Sequence, residues 1–367
     1  MMSSGLLAGL RIVEFLGLGP GPFGCMLLAD LGADVVTLRR PGAPLPALVR
    51  NRATAEVNLK DPRTVSWIRE LVSEADIVVE GFRPGVMERL GLGPDDLRTV
   101  NSRLIYARMT GWGQTGPLAH TAGHDINYIA LTGALHLATR VGGVPVPPSN
   151  LLGDFGGGGM YLVTAILAAV YERGVTGTGR VLDIAIVDGT NYLTSMHHEY
   201  RARGTWSDTA GTNRLDTGAP YYDVYPCAEG GFVALGALEE PFFVELLGVL
   251  GLSRDLLPGR EDPANWPTLR AAISAALLIR TRDEWAALAQ GTNACLTPVL
   301  DLAEAAAHPQ ISAREVLVDQ PDATWTPRLP LGFRTEALGV DMVLDSWKVA
   351  APTEFGVEVG ESSASRG

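Results

Sequence analysis

LRIVEFLGLGPGPFGCMLLADLGADVVTLRRP, residues 10–41, reads as strand, turn, helix and strand. LRIVEFLG, from Leu10, is a short apolar run of the kind a buried strand needs, and ADVVTL, from Ala33, is a second. Between them FGCMLLADLG, from Phe23, has the length and spacing of a helix. The turn ahead of that helix, Gly19-Pro20-Gly21-Pro22-Phe23-Gly24, fits G-x-G-x-x-G in the strand-to-helix context where such a turn can hold a pyrophosphate. The second strand ends in Arg39-Arg40, where a nicotinamide enzyme would carry an acid for the ribose hydroxyls. Guanidinium groups there suit a phosphorylated ribose, which leaves NADP and coenzyme A open. A plain tight turn without ligand fits the same residues.

Outward from this unit the pattern repeats. TVSWIRELVSEA (64–75) is an amphipathic helix, DIVVEGF a third strand and LIYARMTG, from Leu104, a fourth. MYLVTAILAAVYERG (160–174) is apolar enough to expect a buried helix, and RVLDIAIVDG, from Arg180, supplies another strand. Strands alternating with helices predict an α/β fold with a parallel, Rossmann-like sheet. Residues 1–195 are expected to form this large domain, completed by about 325–360, where MVLDSWKV is the closing element. Polar, turn-rich residues 196–221 read as a linker. A smaller α+β domain is expected at 222–315, from strand-like YYDVYP and GFVALGAL and helices at PFFVELLGVL, TLRAAISAALL and RDEWAALAQ. Residues 361–367 read as a disordered tail.

A net charge of −12 argues against phosphate-driven nucleic-acid binding. The charge is uneven: residues 1–108 hold 13 Arg and Lys against 12 Asp and Glu, so the negative excess lies in the remainder and the first third can hold an anion. Cys25, Cys227 and Cys295 are odd in number and far apart, and read as buried apolar residues in a reducing compartment. The start lacks a cationic segment and no run of about 18 uncharged apolar residues occurs, so a cytoplasmic enzyme without a membrane span is expected. His120, His136, His197, His198 and His308 show no metal spacing.

TGWGQTGPLAHTAGHDINY (110–128) and GDFGGGGM (153–160) set His124, Asp125 and Asp154 beside glycine-rich turns. The expectation is that those glycines let a ligand approach backbone amides. Tight packing between elements, with Asp154 as a helix cap, explains the same residues without a ligand.

Taken together, DLGADVVTLRRP (30–41), NLKDP (58–62), ADIVVEGFRPGVMERLGLG (75–93), RLIYARMTGWGQTGP (103–117), GHDINY (123–128), GDFGGGG (153–159) and GRVLDIAIVDG (179–189) resemble the α-methylacyl-CoA racemase branch of the class III CoA-transferase family. GAPYYDVYPCAEGGFVALGALEE (218–240) continues the likeness more thinly. The resemblance implies two interlocked chains forming a homodimer, the linker wrapping the partner. It implies an acyl-CoA thioester substrate, no cofactor beyond the CoA that the substrate carries, and resolves Arg39-Arg40 toward CoA. CoA-binding positions carry over as Arg40, Val57, Asn58, Leu59, Lys60, Gly81, Phe82, Arg83 and Arg89, with Gly123, Ile126, Asn127 and Tyr128 around the reacting end.

Two chemistries follow from the resemblance. A racemase interconverting (R)- and (S)-2-methylacyl-CoA needs two bases on opposite faces of the α-carbon and donors for the enolate oxygen. His124 and Asp154 are the expected bases, Glu239 the residue holding the His124 ring in one tautomer, and the Asp125 N–H a donor to the enolate. Arg39, in place of the acid usual in transferases, favours this branch. A CoA transferase would instead use the Asp125 carboxylate as nucleophile, through a mixed anhydride. A non-catalytic acyl-CoA binder or an NADP oxidoreductase on the same turn are the readings from other classes.

Overall fold

The computed structural model describes residues 5–319, 325–329 and 358–359. Most of the expected closing element, MVLDSWKV included, and the tail 361–367 lie outside the described residues. The chain divides into two units: Met1–Thr132, Pro148–Thr194 and Ser312–Gly367 form one, Gly133–Pro147 and Ser195–Ile311 the other.

The first unit is built on a seven-stranded sheet. Along the chain run β1 (Arg11–Phe15), α1 (Pro20–Asp30), β2 (Asp34–Arg39), β3 (Ala53–Glu56), α2 (Pro62–Ser73), β4 (Ile77–Glu80), α3 (Val86–Arg89), α4 (Pro94–Arg98), β5 (Ile105–Thr110) and α5 (Asp125–Leu131). After α6 (Ala134–Leu137), which goes with the second unit, come a π-helix (Leu151–Met160), α7 (Tyr161–Thr176), β6 (Val181–Ala185) and α8 (Ile186–Leu193). The strand order β3-β2-β1-β4-β5-β6 is that of doubly wound folds, with the direction of winding reversing between β1 and β4. All these neighbours pair in parallel. Glu358–Val359 adds an antiparallel edge strand against Ala53 and Thr54.

Parallel strands must bury both faces, and the pleat sorts them here. On one side Val13, Val36 and Val78 pack with Trp67, Ile68, Leu71 and Val72 of α2. On the other Ile12, Val35, Ile77 and Ile105 share a core with Cys25 and Leu28 of α1 and Leu162 and Ile166 of α7. α1 starts where Gly19, at φ 63, turns the chain into Pro20, whose fixed φ suits the first helical position. α2 starts on Asp61, whose side chain accepts from the Arg63 N–H at 2.9 Å.

Three expectations need correction. The "fourth" strand is the fifth, because ATAE (53–56) is itself a strand: four residues of which Ala53, Thr54 and Ala55 are buried. α7 is buried on one side only, with Tyr171 and Val175 78% and 75% exposed. Together with the π-helix it makes a helical run, Leu151–Thr176, long and apolar enough to cross a membrane; its inner side packs into the core of an α/β layer, and we read it as a core helix. Cys25 and Cys227 are buried, but Cys295 is exposed.

The second unit has a three-stranded antiparallel sheet, β7 (Tyr222–Pro226), β8 (Phe232–Gly236) and β9 (Leu296–Pro298). Its longer segment starts with α9 (Ser195–Ala202), so the stretch read as linker opens on a helix. Helices α10 (Glu240–Leu250), α11 (Trp266–Leu277) and α12 (Arg282–Ala289) close a core around Tyr221, Phe243, Trp266 and Trp285. Gly133–Pro147 joins this unit through Arg140, whose guanidinium pairs with the buried Asp223 at 2.7 Å.

Candidate active site

β5 delivers the chain at Thr110 to the loop that carries His124. Tyr128 fixes that loop: its ring packs edge-on to Trp112 with centroids 4.7 Å apart, and its hydroxyl donates to the Gly123 carbonyl. A Cβ at Gly111 or Gly123 would strike the Tyr128 ring. Tyr128 is therefore buried against its own loop, and its side chain serves the loop instead of facing a ligand. Asn127 acts similarly, since its amide oxygen accepts from the His124 N–H at 3.1 Å. His124 thus sits as the cap of α5 with its imidazole exposed, and Ile126 is exposed beside it.

Asp125 begins α5, and its N–H has no acceptor among the described residues. The residue is 6% exposed. Oδ1 accepts from the Asp154 N–H at 2.8 Å, tying the start of α5 to the first turn of the π-helix, while Oδ2 is buried without a hydrogen-bond partner. Gly153 permits that approach: a Cβ there would lie 2.5 Å from Asp125 Oδ1. Asp154 is half-buried, and Oδ2 takes a long bond, 3.5 Å, from Asn150. Burial raises its pKa above the ordinary aspartate value; the Asn150 bond lowers it, the Asp125 charge raises it, and His124 lowers it. These opposed influences place His124, Asp125 and Asp154 in one electrostatic neighbourhood. The same carboxylate faces the first βα turn, where a Cβ on Gly19 would stand 3.0 Å from Asp154 Oδ2.

The glycine run itself packs helix against helix. A Cβ on Gly157 would meet Thr190 of α8, one on Gly158 would lie 2.9 Å from Pro20, and one on Gly159 2.5 Å from Phe23. Gly24, the last of the G-x-G-x-x-G glycines, is tight for the same reason, with Leu162 Cδ2 2.8 Å from a Cβ position. The expectation that GGGG opens backbone amides to a ligand is therefore corrected. Those glycines seat the π-helix on α1 and α8 and so aim Asp154.

At the reversal point between β1 and β4 a crevice is lined by Phe15, Gly17, Gly21, Glu80 and Gly81. Around this edge the strands β2, β3 and β4 end in the expected CoA positions. Arg39 is occupied by Glu56 at 2.6 Å, whereas Arg40 is exposed and has no ion pair among the described residues. Lys60, Arg83 and Arg89 are likewise exposed, without an ion pair among the described residues. Val57 is buried in the core and Leu59 packs against it, so only Asn58 and Lys60 of that stretch present side chains outward. Gly81 is exposed and Phe82 half-buried. Glu239 belongs to the second unit, exposed at the cap of α10. Its neighbour Glu240 is engaged by Arg254 and Arg260 at 3.4 and 2.7 Å, so of the two adjacent acids Glu239 is the unpaired one among the described residues.

Sequence reading missed two buried ion pairs on this edge, Glu14–Arg52 at 2.5 Å and Glu80–Arg108 at 3.0 Å. An acid inside an otherwise apolar strand, as in RIVEF and IVVE, was the available signal.

Comparison with known proteins now bears on this arrangement. The model of CoA-transferase family III matches residues 7–343. The chain belongs to CoA-transferase family III. Alpha-methylacyl-CoA racemase of Mus musculus is 42% identical over 335 residues, covering 91% of this chain and 88% of the relative. Acetyl-CoA:oxalate CoA-transferase of Acetobacter aceti is 32% identical, covering 84% and 85%. Among solved structures, a CAIB/BAIF family protein from Brucella suis superposes with a TM-score of 0.76 at 25% identity, covering 91% of this chain and 93% of that one.

Proposed function

We propose that this chain is a racemase of 2-methylacyl-CoA thioesters, acting by proton transfer between two bases through an enolate. The observation that carries this reading is the pairing of an exposed imidazole, His124, with a half-buried carboxylate of raised pKa, Asp154, on two helix starts pinned together by the Asp125–Asp154 hydrogen bond. The identity of 42% to a racemase, against 32% to a transferase, supports the same branch.

The α-proton of a thioester is weakly acidic, and its removal puts charge on the carbonyl oxygen. In our reading one base takes that proton, the unengaged Asp125 N–H donates to the developing oxyanion, and the other base returns a proton to the opposite face. His124 and Asp154 exchange roles with the direction of reaction. A carboxyl held above its ordinary pKa suits a group that must be acid one way and base the other. Glu239 stays a proposed positioning acid on the resemblance to the racemase branch alone; within its own unit it is free of the ion pairs that hold Glu240. Arg40, Lys60, Arg83 and Arg89 are proposed to meet the phosphates of CoA, and the enzyme needs no cofactor beyond that substrate. A cytoplasmic homodimer is proposed as its working form, three unpaired cysteines suiting a reducing compartment.

The competing transferase reading draws on Asp125 Oδ2, which lacks a partner. One substitution separates the two. Asp125→Asn keeps an oxygen able to accept the Asp154 N–H but removes the nucleophile. The racemase reading expects Asp125→Asn to retain activity within about tenfold and Asp125→Ala to lose more, because truncation frees a buried N–H. Loss of all activity in a folded Asp125→Asn protein, with transfer of CoA from the thioester to added carboxylates and release of the free acid in the wild type, would establish the transferase instead.

A further inference from the structure

Glu80 and Arg108 lie opposite each other at the C-terminal ends of β4 and β5. Both are buried, and the Arg108 Nε donates to Glu80 Oε1 at 3.0 Å. The other oxygen of Glu80 accepts from the Phe82 N–H at 2.7 Å, fixing the chain as it leaves β4. The second arm of Arg108, Nη1, donates to Glu88 Oε1 at 2.7 Å, beside Arg89 on α3. One guanidinium thus ties both ends of the segment 81–89. Tyr106, two residues earlier on β5, donates to the Leu92 carbonyl at 3.0 Å and holds the segment's exit. Inside it Gly85, at φ 80, has the Arg89 guanidinium 3.1 Å from where a Cβ would stand, so Arg89 folds back over the turn.

A purely architectural need does not explain this network. Burying an ion pair costs solvation that apolar residues of the same volume do not pay. Burial pushes the Glu80 carboxyl up to about 7, outweighing the Phe82 N–H and Arg108 that favour its charge. Arg108 Nη2 is buried with no acceptor. Such expense at a strand end is usual where a binding segment must be held before the ligand arrives.

We propose that Glu80, Arg108 and Glu88 form a clamp that presets the segment Gly81–Arg89, aligning Arg83 and Arg89 for the phosphates of the CoA thioester. The three are positioning residues, and the inference rests on the reading of this edge as the CoA site. It deepens that reading by stating what makes the arginines competent.

The test is calorimetric titration of free CoA into wild type, Glu80→Gln, Glu88→Gln, Arg83→Ala, Arg89→Ala and the double variant Glu88→Gln/Arg89→Ala, with KM and kcat for the acyl-CoA measured alongside. The clamp requires Glu80→Gln and Glu88→Gln each to raise Kd and KM roughly tenfold, the value of one charge-assisted hydrogen bond. kcat at saturation moves less than about twofold, because lost pre-alignment is uniform binding. In the Arg89→Ala background Glu88→Gln costs less than in wild type, because only Arg83 is left to misalign. An equal loss with and without Arg89, or an unchanged Kd for Glu88→Gln while Arg89→Ala binds weakly, overturns the clamp and leaves the CoA site standing. If Arg83→Ala and Arg89→Ala both bind CoA as wild type does, the site reading itself falls. Should Glu80→Gln fail to fold, Glu88→Gln carries the test, since the Glu88 side chain is 43% exposed and outside the core.

Discussion

At the residue scale Asp154 has two separable properties. As a proposed base it should be indispensable: Asp154→Asn and His124→Ala should each lower interconversion by about a hundredfold or more while CoA still binds. As a half-buried acid of raised pKa it should also cost stability. The folded state holds its proton more tightly than the unfolded chain does, so the penalty is absent below the ordinary value of 3.8 and grows as pH rises through the raised value. Asp154→Asn should therefore melt above wild type at pH 7, with the gap closing as the pH falls toward about 4. Thermal scans across that range check the sign, and equal melting temperatures at neutral pH would refute the burial argument. Sequence alone picked out His124, Asp125 and Asp154, because ionisable groups beside glycines are conspicuous. Spacing and composition did not separate Arg39 from Arg40, or Glu239 from Glu240; the family resemblance chose Arg40 and Glu239. Those differences lie in ion pairs to Glu56, Arg254 and Arg260, which are distant in the chain.

At the element scale the π-helix is what carries Asp154 to its place. The glycine run was legible, but its purpose was not, because close contact with a ligand and close contact with another helix demand the same residue. Contacts with α1 and α8 decide for the helices. A Cβ on Gly189 of α8 would collide with the Gly157 carbonyl oxygen. Gly189→Ala should therefore destabilise by about 2 kcal/mol, lowering the melting temperature by several degrees, and displace Asp154 enough to reduce turnover. Gly174 of α7 has nothing within 4 Å of a Cβ position, so Gly174→Ala should be stabilising through helix propensity, by up to about 1 kcal/mol. Similar melting for both variants would contradict the packing role. β1, α1 and β2 were readable because RIVEF and DVVTLR are continuous buried runs. β3 was not, since ATAE is short and its strand character comes from pairing with β2.

At the scale of the whole molecule the doubly wound order sets Arg40, Lys60 and Arg83 just past the C-terminal ends of β2, β3 and β4 in one parallel sheet. The alternation of strands and helices made that much legible. Assignment of Gly133–Pro147 to the second unit was not, because it depends on Arg140 reaching Asp223, 83 residues away. The outer faces of α7 and α8 leave Tyr171, Val175, Tyr192 and Leu193 at least half exposed. Exposed apolar side chains of this kind are compatible with the proposed homodimer. Mass photometry should give twice the 38.9 kDa of one chain, and Tyr171→Glu should shift the population toward monomer. A monomer at micromolar concentration would remove the dimer from the account.

Proton transfer at the α-carbon is read out by incubating one enantiomer of a 2-methylacyl-CoA in D₂O. Following the α-proton by NMR and the configuration by chiral chromatography, the two-base mechanism requires deuterium to enter at the α-carbon as the other enantiomer appears. Retention of configuration without exchange, with CoA passing to an added carboxylic acid, would contradict it and assign the chemistry to the Asp125 carboxylate.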